Sequence, residues 1–309
     1  MSESGDYNPG PWRGHDFGSA RKTYDAHVGR SYSVAKSQKK TIKDVVEPTL
    51  KTNSKSPLVI ACDVTGSMGS WPATIFSKLP YLDLEGKEYL GPSMEISFAA
   101  VGDAYCDDYP LQVRPFAGGK DLENRLKELI IEGGGGGTAQ ESYELAAMYY
   151  ANNVDMPRAK NKPIFIYIGD EGFYDFVNSD QVKKHSYVTM SSRTSGKKAF
   201  ENLKKKYSVY LIRKPYETGR GNGLSVMDQR IYDQWAEVLG ADHITMLPEA
   251  SRVVDVIFGI LAKETERIDY FHDELKGRQT DAQVSTVLKS LKPIHGGLIT
   301  EDSRLIRGL

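Results

Sequence analysis

At 309 residues, with 39% hydrophobic and 26% charged side chains and a formal net charge of −1, the chain has the composition of a soluble globular protein long enough for one large domain with extensions. No run approaches the roughly 18 apolar residues of a membrane helix, residues 1–6 lack the basic-then-apolar order of a secretory leader, and Cys62 and Cys106 make no disulfide framework, so a cytoplasmic location is expected. Residues 1–55 carry 10 Lys or Arg against 6 Asp or Glu, a balance of +4, which leaves 30 against 35, or −5, for the remainder; so small an excess fits a solvated flank better than a nucleic-acid site.

Through residue 40 the chain mixes Gly, Ser, Pro, Tyr and Arg without periodicity, which predicts an extended arm carrying Trp12, Phe17, Tyr24 and Tyr32 as aromatic docking points. From Leu58 onward strand and helix patterns alternate, the signature of a mainly parallel sheet covered on both faces. Strands are predicted over 58–62, 94–101, 111–116, 163–168, 208–212 and 243–246. The uniformly apolar Ile164–Ile168 suits a central strand, whereas 111–116 is shorter, more polar and preceded by Pro110, which predicts an antiparallel edge.

Helical stripes fall between the strands: Leu122, Leu126, Leu129 and Ile130; Tyr143, Ala146, Ala147 and Tyr150; Ile231, Trp235, Val238 and Leu239; Val254, Ile257, Phe258 and Leu261. All are expected to face the core. Beyond residues 263–267, Gly277 is expected to break the helical pattern, and Val284, Val287, Leu288 and Leu291 predict one more helix that caps the domain. The expected organisation is a basic arm over 1–55, one α/β domain over 56–268 and a helical extension over 269–309.

Three strand-end loops concentrate hard oxygen donors. Asp63-Val64-Thr65-Gly66-Ser67 follows the apolar run 58–62, the five glycines 133–137 end in Thr138, and the run 164–168 ends in Gly169-Asp170. Ligands of doubly wound sheets bind beyond the carboxyl ends of the strands. Two carboxylates and three hydroxyls there suit Mg²⁺, which takes near-octahedral oxygen ligation and is held by one or two carboxylates. Each element alone reads as a helix N-cap, and their joint occurrence points to a divalent-cation site.

Other chemistries meet specific objections. The glycine run continues as Thr138-Ala139-Gln140 where a phosphate-binding loop needs Lys followed by Ser or Thr. Ser67 lacks the first glycine of Gly-x-Ser-x-Gly, no His-x-x-x-His pair is present, and no residue stands out as a general base, so no catalytic residue is assigned. Asp103, Asp107, Asp108, Glu141, Glu171 and Asp175 are expected to surround the site and tune its field, in preference to forming a second metal site, with a solvated acidic surface as the plain alternative. Tyr105, Tyr109, Phe173, Tyr174 and Phe176 are expected to give an interface its aromatic part. Lysines at 183–184, 197–198 and 204–206 read as solvated faces, and 219–223 as a mobile loop.

The ordered motifs resemble the von Willebrand factor A family, whose metal-ion-dependent adhesion site is written Asp-x-Ser-x-Ser with a Thr and an Asp from later loops. Asp63-x-Thr65-x-Ser67, Thr138 and Asp170 match in that order within residues 57–265, with Thr65 as the one departure, keeping the hydroxyl and adding a methyl group. The resemblance implies a doubly wound, mainly parallel central sheet with helices on both faces. It implies a cation, Mg²⁺ first with Mn²⁺ or Ca²⁺ as substitutes, bound by Asp63, Thr65, Ser67, Thr138 and Asp170. The implied role is a non-enzymatic adaptor whose cation coordinates an Asp or Glu of a protein partner, in intracellular members often beside an AAA-type ATPase. Two rivals are an RNA-associated protein of Ro type, for which the helical-repeat region is missing, and a metal-dependent hydrolase. A haloacid-dehalogenase-type phosphotransferase would need a second Asp where Thr65 stands.

Overall fold

Apolar, β-branched runs too short for helices pair into one sheet in the computed structural model, which describes residues 39–216, 224–247 and 249–296. The strands are β1 (Pro57–Asp63), β2 (Glu95–Val101), β3 (Leu111–Val113), β4 (Ile164–Gly169), β5 (Ser208–Arg213) and β6 (Ile244–Met246). They lie side by side in the order β6-β5-β4-β1-β2-β3, all parallel except the antiparallel β2–β3 pair. The predicted edge strand is thus present but short. Beyond Val113 the Arg114 N–H still donates to Phe98 O, and pairing returns one residue out of step as a single bridge between Ala117 and Ile96, so the edge bulges across Pro115 and Phe116.

Alternation along the strands divides the core in two. Leu58, Ile60, Cys62, Ile96 and Phe98 belong to one cluster, while Val59, Ala61, Ala99 and Val101 belong to the other. The helices are α1 (Trp71–Lys78), α2 (Leu82–Leu90), α3 (Asp121–Lys127), α4 (Tyr143–Asn152), α5 (Ser179–Ser186), α6 (Gly196–Lys206), α7 (Val226–Leu239), α8 (Val253–Glu264), α9 (Ile268–Arg278) and α10 (Asp281–His295). Buried side chains of α1, α2, α3, α8, α9 and α10 fill the first cluster, and those of α4, α5, α6 and α7 the second. This is a doubly wound α/β fold.

All four predicted stripes are buried. The first differs in detail, because α3 stops at Lys127 and Ile130 crosses to the other cluster. There the buried Gln112 amide clasps the Ile130 backbone, accepting from its N–H and donating to its carbonyl, both at 2.8 Å. Gly277 does not break the C-terminal pattern: it lies inside α9, which ends where the Gln279 side chain turns toward Asp255 and Thr280 caps α10. Phe271, Leu275, Val287, Leu291 and Ile294 join the first cluster, so the extension shares the domain's core.

At the other end, Ile42–Val45 makes one helical turn and Leu50–Lys51 pairs in parallel with Val154–Asp155. The arm up to residue 38, with Trp12, Phe17, Tyr24 and Tyr32, and the 219–223 loop lie outside the described residues, as do residues 297–309. Among the described residues no helix is long and apolar enough to cross a membrane.

Candidate functional site

The chain leaves β1 toward β2 on one side and β4 toward β5 on the other, so the carboxyl ends of the adjacent β1 and β4 bound the crevice at which such sheets bind ligands. Asp63 ends β1 and Asp170 follows β4 directly. Strand pairing alone therefore brings together two residues 107 positions apart in the chain.

Hydrogen bonds tie four of the five predicted site residues into one network. Asp63 Oδ1 accepts from the Thr65 N–H at 2.9 Å and from Thr65 Oγ1 at 2.6 Å. Thr65 Oγ1 lies 3.2 Å from Ser67 Oγ, which donates to Asp170 Oδ1 at 3.0 Å. Gly66 permits the loop's close contact with the glycine run: its N–H donates to Gly134 O, and a Cβ there would stand 3.0 Å from the carbonyl oxygens of Gly133 and Gly134.

Thr138 does not join this network. It is exposed, and its hydroxyl donates to Gln140 O at 3.3 Å and lies 3.4 Å from Tyr174 Oη. The loop that carries it takes positive φ at Gly133, Gly135, Gly137 and Ala139, and the Thr138 hydroxyl meets Gln140 and Tyr174 there.

Two residues outside the predicted set complete the network. Tyr143, read from its helical stripe as a packing residue, donates its hydroxyl to Asp63 Oδ2 at 2.6 Å. Lys214, one residue past β5, donates to Asp170 Oδ2 and to Ser67 O, each at 2.8 Å. Its place at the carboxyl end of the strand beside β4 is the signal that could have found it.

The surrounding acids are for the most part not a solvated surface. Asp108 and Asp175 are exposed, but Asp103, Asp107, Glu141 and Glu171 are buried, as are Glu132 and Glu144, which sequence reasoning did not single out. Asp103 is held in place by donors, Tyr174 Oη and the Tyr105 N–H at 3.0 Å each and Cys106 Sγ at 3.3 Å. Glu141 Oε2 and Glu144 Oε2 are buried without a hydrogen-bond partner. The aromatic residues also divide, since Tyr109 and Phe173 are core side chains while Tyr105 and Phe176 are exposed. Of the basic runs, Lys204 and Lys206 are not merely solvated, as their ammonium groups reach the carbonyls of Val238 and Val154.

Electrostatics follow from this burial. Asp63 is pushed well above the ordinary carboxylate range by burial and by Asp170, against the pull of its Thr65 and Tyr143 donors. Burial also raises Asp170, with Lys214 opposing it. Glu141 is raised by burial, then by Asp63 and Glu171. Burial lifts Glu132 to about 7, Asp107 to about 6 and Glu144 to about 8. Arg213, paired with the buried Asp228, also acts on Asp170, lowering it less than Lys214 does.

Among the described residues no three or more His, Cys, Asp or Glu side chains converge as a metal cage. The donors that do converge are two carboxylates and two hydroxyls, a hard, oxygen-only set of the kind Mg²⁺ and Mn²⁺ take. Near them Glu141 has one buried oxygen without a hydrogen-bond partner, and burial together with Asp63 and Glu171 disfavours its charged form in the absence of a cation.

No protein-family model matches the chain, and no curated protein matches it. Among solved structures, it is similar to the pilus adhesin SpaC from Lactobacillus rhamnosus GG, at 12% identity over 74% of this chain and 32% of the adhesin, with a TM-score of 0.48. It is also similar to proximal thread matrix protein 1 from the mussel byssus, at 10% identity over 71% of this chain and 48% of that protein, with a TM-score of 0.43. The chain thus spans less than half the length of either structure.

Proposed function

We propose that the chain is a metal-dependent protein-binding module of the von Willebrand factor A type, acting as a cytoplasmic adaptor and not as an enzyme. Supporting this reading is one observation above the rest: Asp63, Thr65, Ser67 and Asp170, carried by two separate loops, meet in one hydrogen-bonded network at the switch point of the sheet.

These residues would hold Mg²⁺ or Mn²⁺, and Thr138 would join them only if residues 133–138 turned it away from Tyr174. A cation bound there would supply an electrophilic position at which an Asp or Glu oxygen of a partner protein completes the coordination. The chain's own groups prepare the place. Tyr143 fixes one oxygen of Asp63 and Thr65 the other, which orients the carboxylate without a second full charge. Tyr105 and Phe176, both exposed, would offer apolar contact to a partner. An AAA-type ATPase is the partner class we propose from the family resemblance.

Calorimetric titration of Mg²⁺ or Mn²⁺ into chelator-treated protein tests the reading, with circular dichroism as the folding control. Binding by the wild type and none by folded Asp63→Ala is expected. Equal binding by both, or none by either, would remove the metal-bridging reading.

A further inference from the structure

We propose that Lys214 is a tethered counter-ion that competes with the divalent cation for Asp170, so that this side chain sets the affinity of the site. The inference rests on the metal-binding reading above.

Lys214 is fixed at its root. Its N–H donates to Gly169 O at 2.9 Å, which places it beside Asp170 at the end of the neighbouring strand. Its ammonium then bridges the two loops of the site, bonding Asp170 Oδ2 and Ser67 O at 2.8 Å each and standing 5.9 Å from the centre of the Trp71 ring. The other oxygen of Asp170 accepts from Ser67 Oγ at 3.0 Å. Both oxygens of the second carboxylate are therefore engaged by the chain itself.

The Lys214 ammonium thus stands among the buried acidic side chains of Asp63, Asp170, Glu141 and Glu171, and it is the cation hydrogen-bonded to Asp170, with the Arg213 guanidinium acting on that carboxylate from its own pair with Asp228. A lysine ammonium is a compact point charge on a flexible four-carbon stem, able to leave one carboxylate for water without moving the backbone. The side chain is 16% exposed, so an outlet to solvent exists. For a divalent cation to be held, Asp170 must first release this ammonium. The release costs affinity, and the ammonium left nearby would repel the incoming charge. Removing the amine while keeping the stem removes both effects.

Mn²⁺ titrated calorimetrically into full-length wild type, Lys214→Met and Lys214→Arg at one ionic strength tests this. The Met variant is expected to bind about tenfold or more tightly than wild type, since a hydrogen-bonded charge pair is lost from the metal-free side only, and the Arg variant, which keeps the charge, within about threefold of wild type. Because Lys214→Met leaves Asp170 without its counter-charge and can fail to fold, a second measurement uses wild type alone. Acylation of Lys214 by an amine reagent, read by mass spectrometry against the exposed Lys43, is expected to rise when Mn²⁺ is added. Equal or weaker binding by the Met variant beside a wild type that binds, or Lys214 labelling indifferent to Mn²⁺, would overturn the counter-ion role and leave the metal reading standing. Absence of binding by all three proteins would overturn both.

Discussion

Asp63→Asn keeps the volume and most of the hydrogen-bonding pattern of a fully buried side chain while removing its charge. The new amide oxygen can still accept from the Thr65 N–H and hydroxyl, and Tyr143 can reverse its role and accept from the new amide nitrogen. In the metal-free protein the native carboxylate has hydroxyl and amide donors but no direct cation partner among the described residues, while Asp170 stands close by. Burial and that neighbour raise its pKa, so the folded state keeps a proton that the unfolded chain releases, and stability falls as pH rises above the ordinary Asp range. Against an ordinary pKa near 3.9, a carboxyl kept neutral by burial costs at most about 1.4 kcal/mol for each pH unit between that value and the pH of the assay. One rearranged hydrogen bond returns about 1 kcal/mol of that. We therefore expect the Asp63→Asn variant in chelator at pH 7 to be more stable than wild type by about 1–3 kcal/mol, a rise in Tm of about 2–6 °C. The gain should shrink toward pH 5, at about 1.4 kcal/mol per unit for one proton. Added Mn²⁺ should then raise the Tm of wild type but not of the variant. Thermal and urea denaturation followed by circular dichroism measure all three. A variant less stable than wild type in chelator at pH 7, or an advantage that does not shrink at pH 5, would show that the Asp63 charge stabilises the fold.

Gly169→Ala places a Cβ 1.9 Å from Tyr143 Oη, in a site closed by Tyr167 and Trp235, so it should cost about 1–3 kcal/mol by overpacking and also weaken cation binding by pushing Tyr143 off Asp63. Unchanged urea midpoint and affinity together would mean that Tyr143 is not held as described. Glu132, lifted to about 7 by burial and then by Asp107, retains a proton in the folded state that the unfolded chain loses, so its contribution to stability declines as pH rises from the ordinary Glu range through 7. Glu132→Gln should remove that part of the decline, up to about 1.4 kcal/mol per pH unit; urea midpoints at pH 5, 6 and 7 that fall in parallel for both proteins would contradict it. Leu291→Ala, at a fully buried position of α10, should lower the stability of the whole protein by about 2–5 kcal/mol in one transition. A separate early transition with the tertiary signal of the sheet intact would mean that the C-terminal extension is an independent unit.

The sheet was readable because its central strands are apolar on both faces, and Ile164–Ile168 could scarcely be anything but a middle strand. That in turn made the meeting of Asp63 with Asp170 readable, since both sit where adjacent parallel strands end. Thr138 was not, because its position depends on the φ angles of four residues between Gly133 and Ala139, which hydrophobic periodicity does not encode. Burial of Glu132, Glu141 and Glu144 was hidden for another reason: carboxylates are counted as surface unless a partner is visible, and here no cationic partner lies nearby in sequence. These hidden features carry the physical sense of the site. A crevice holding more buried carboxylates than cations is unfavourable when empty of added charge, and Lys214 relieves it only at Asp170. The same surplus that lowers the stability of the metal-free fold would raise its affinity for a divalent cation, so loss of a carboxylate should move stability and affinity in opposite directions, while loss of Lys214 should do so with both signs reversed.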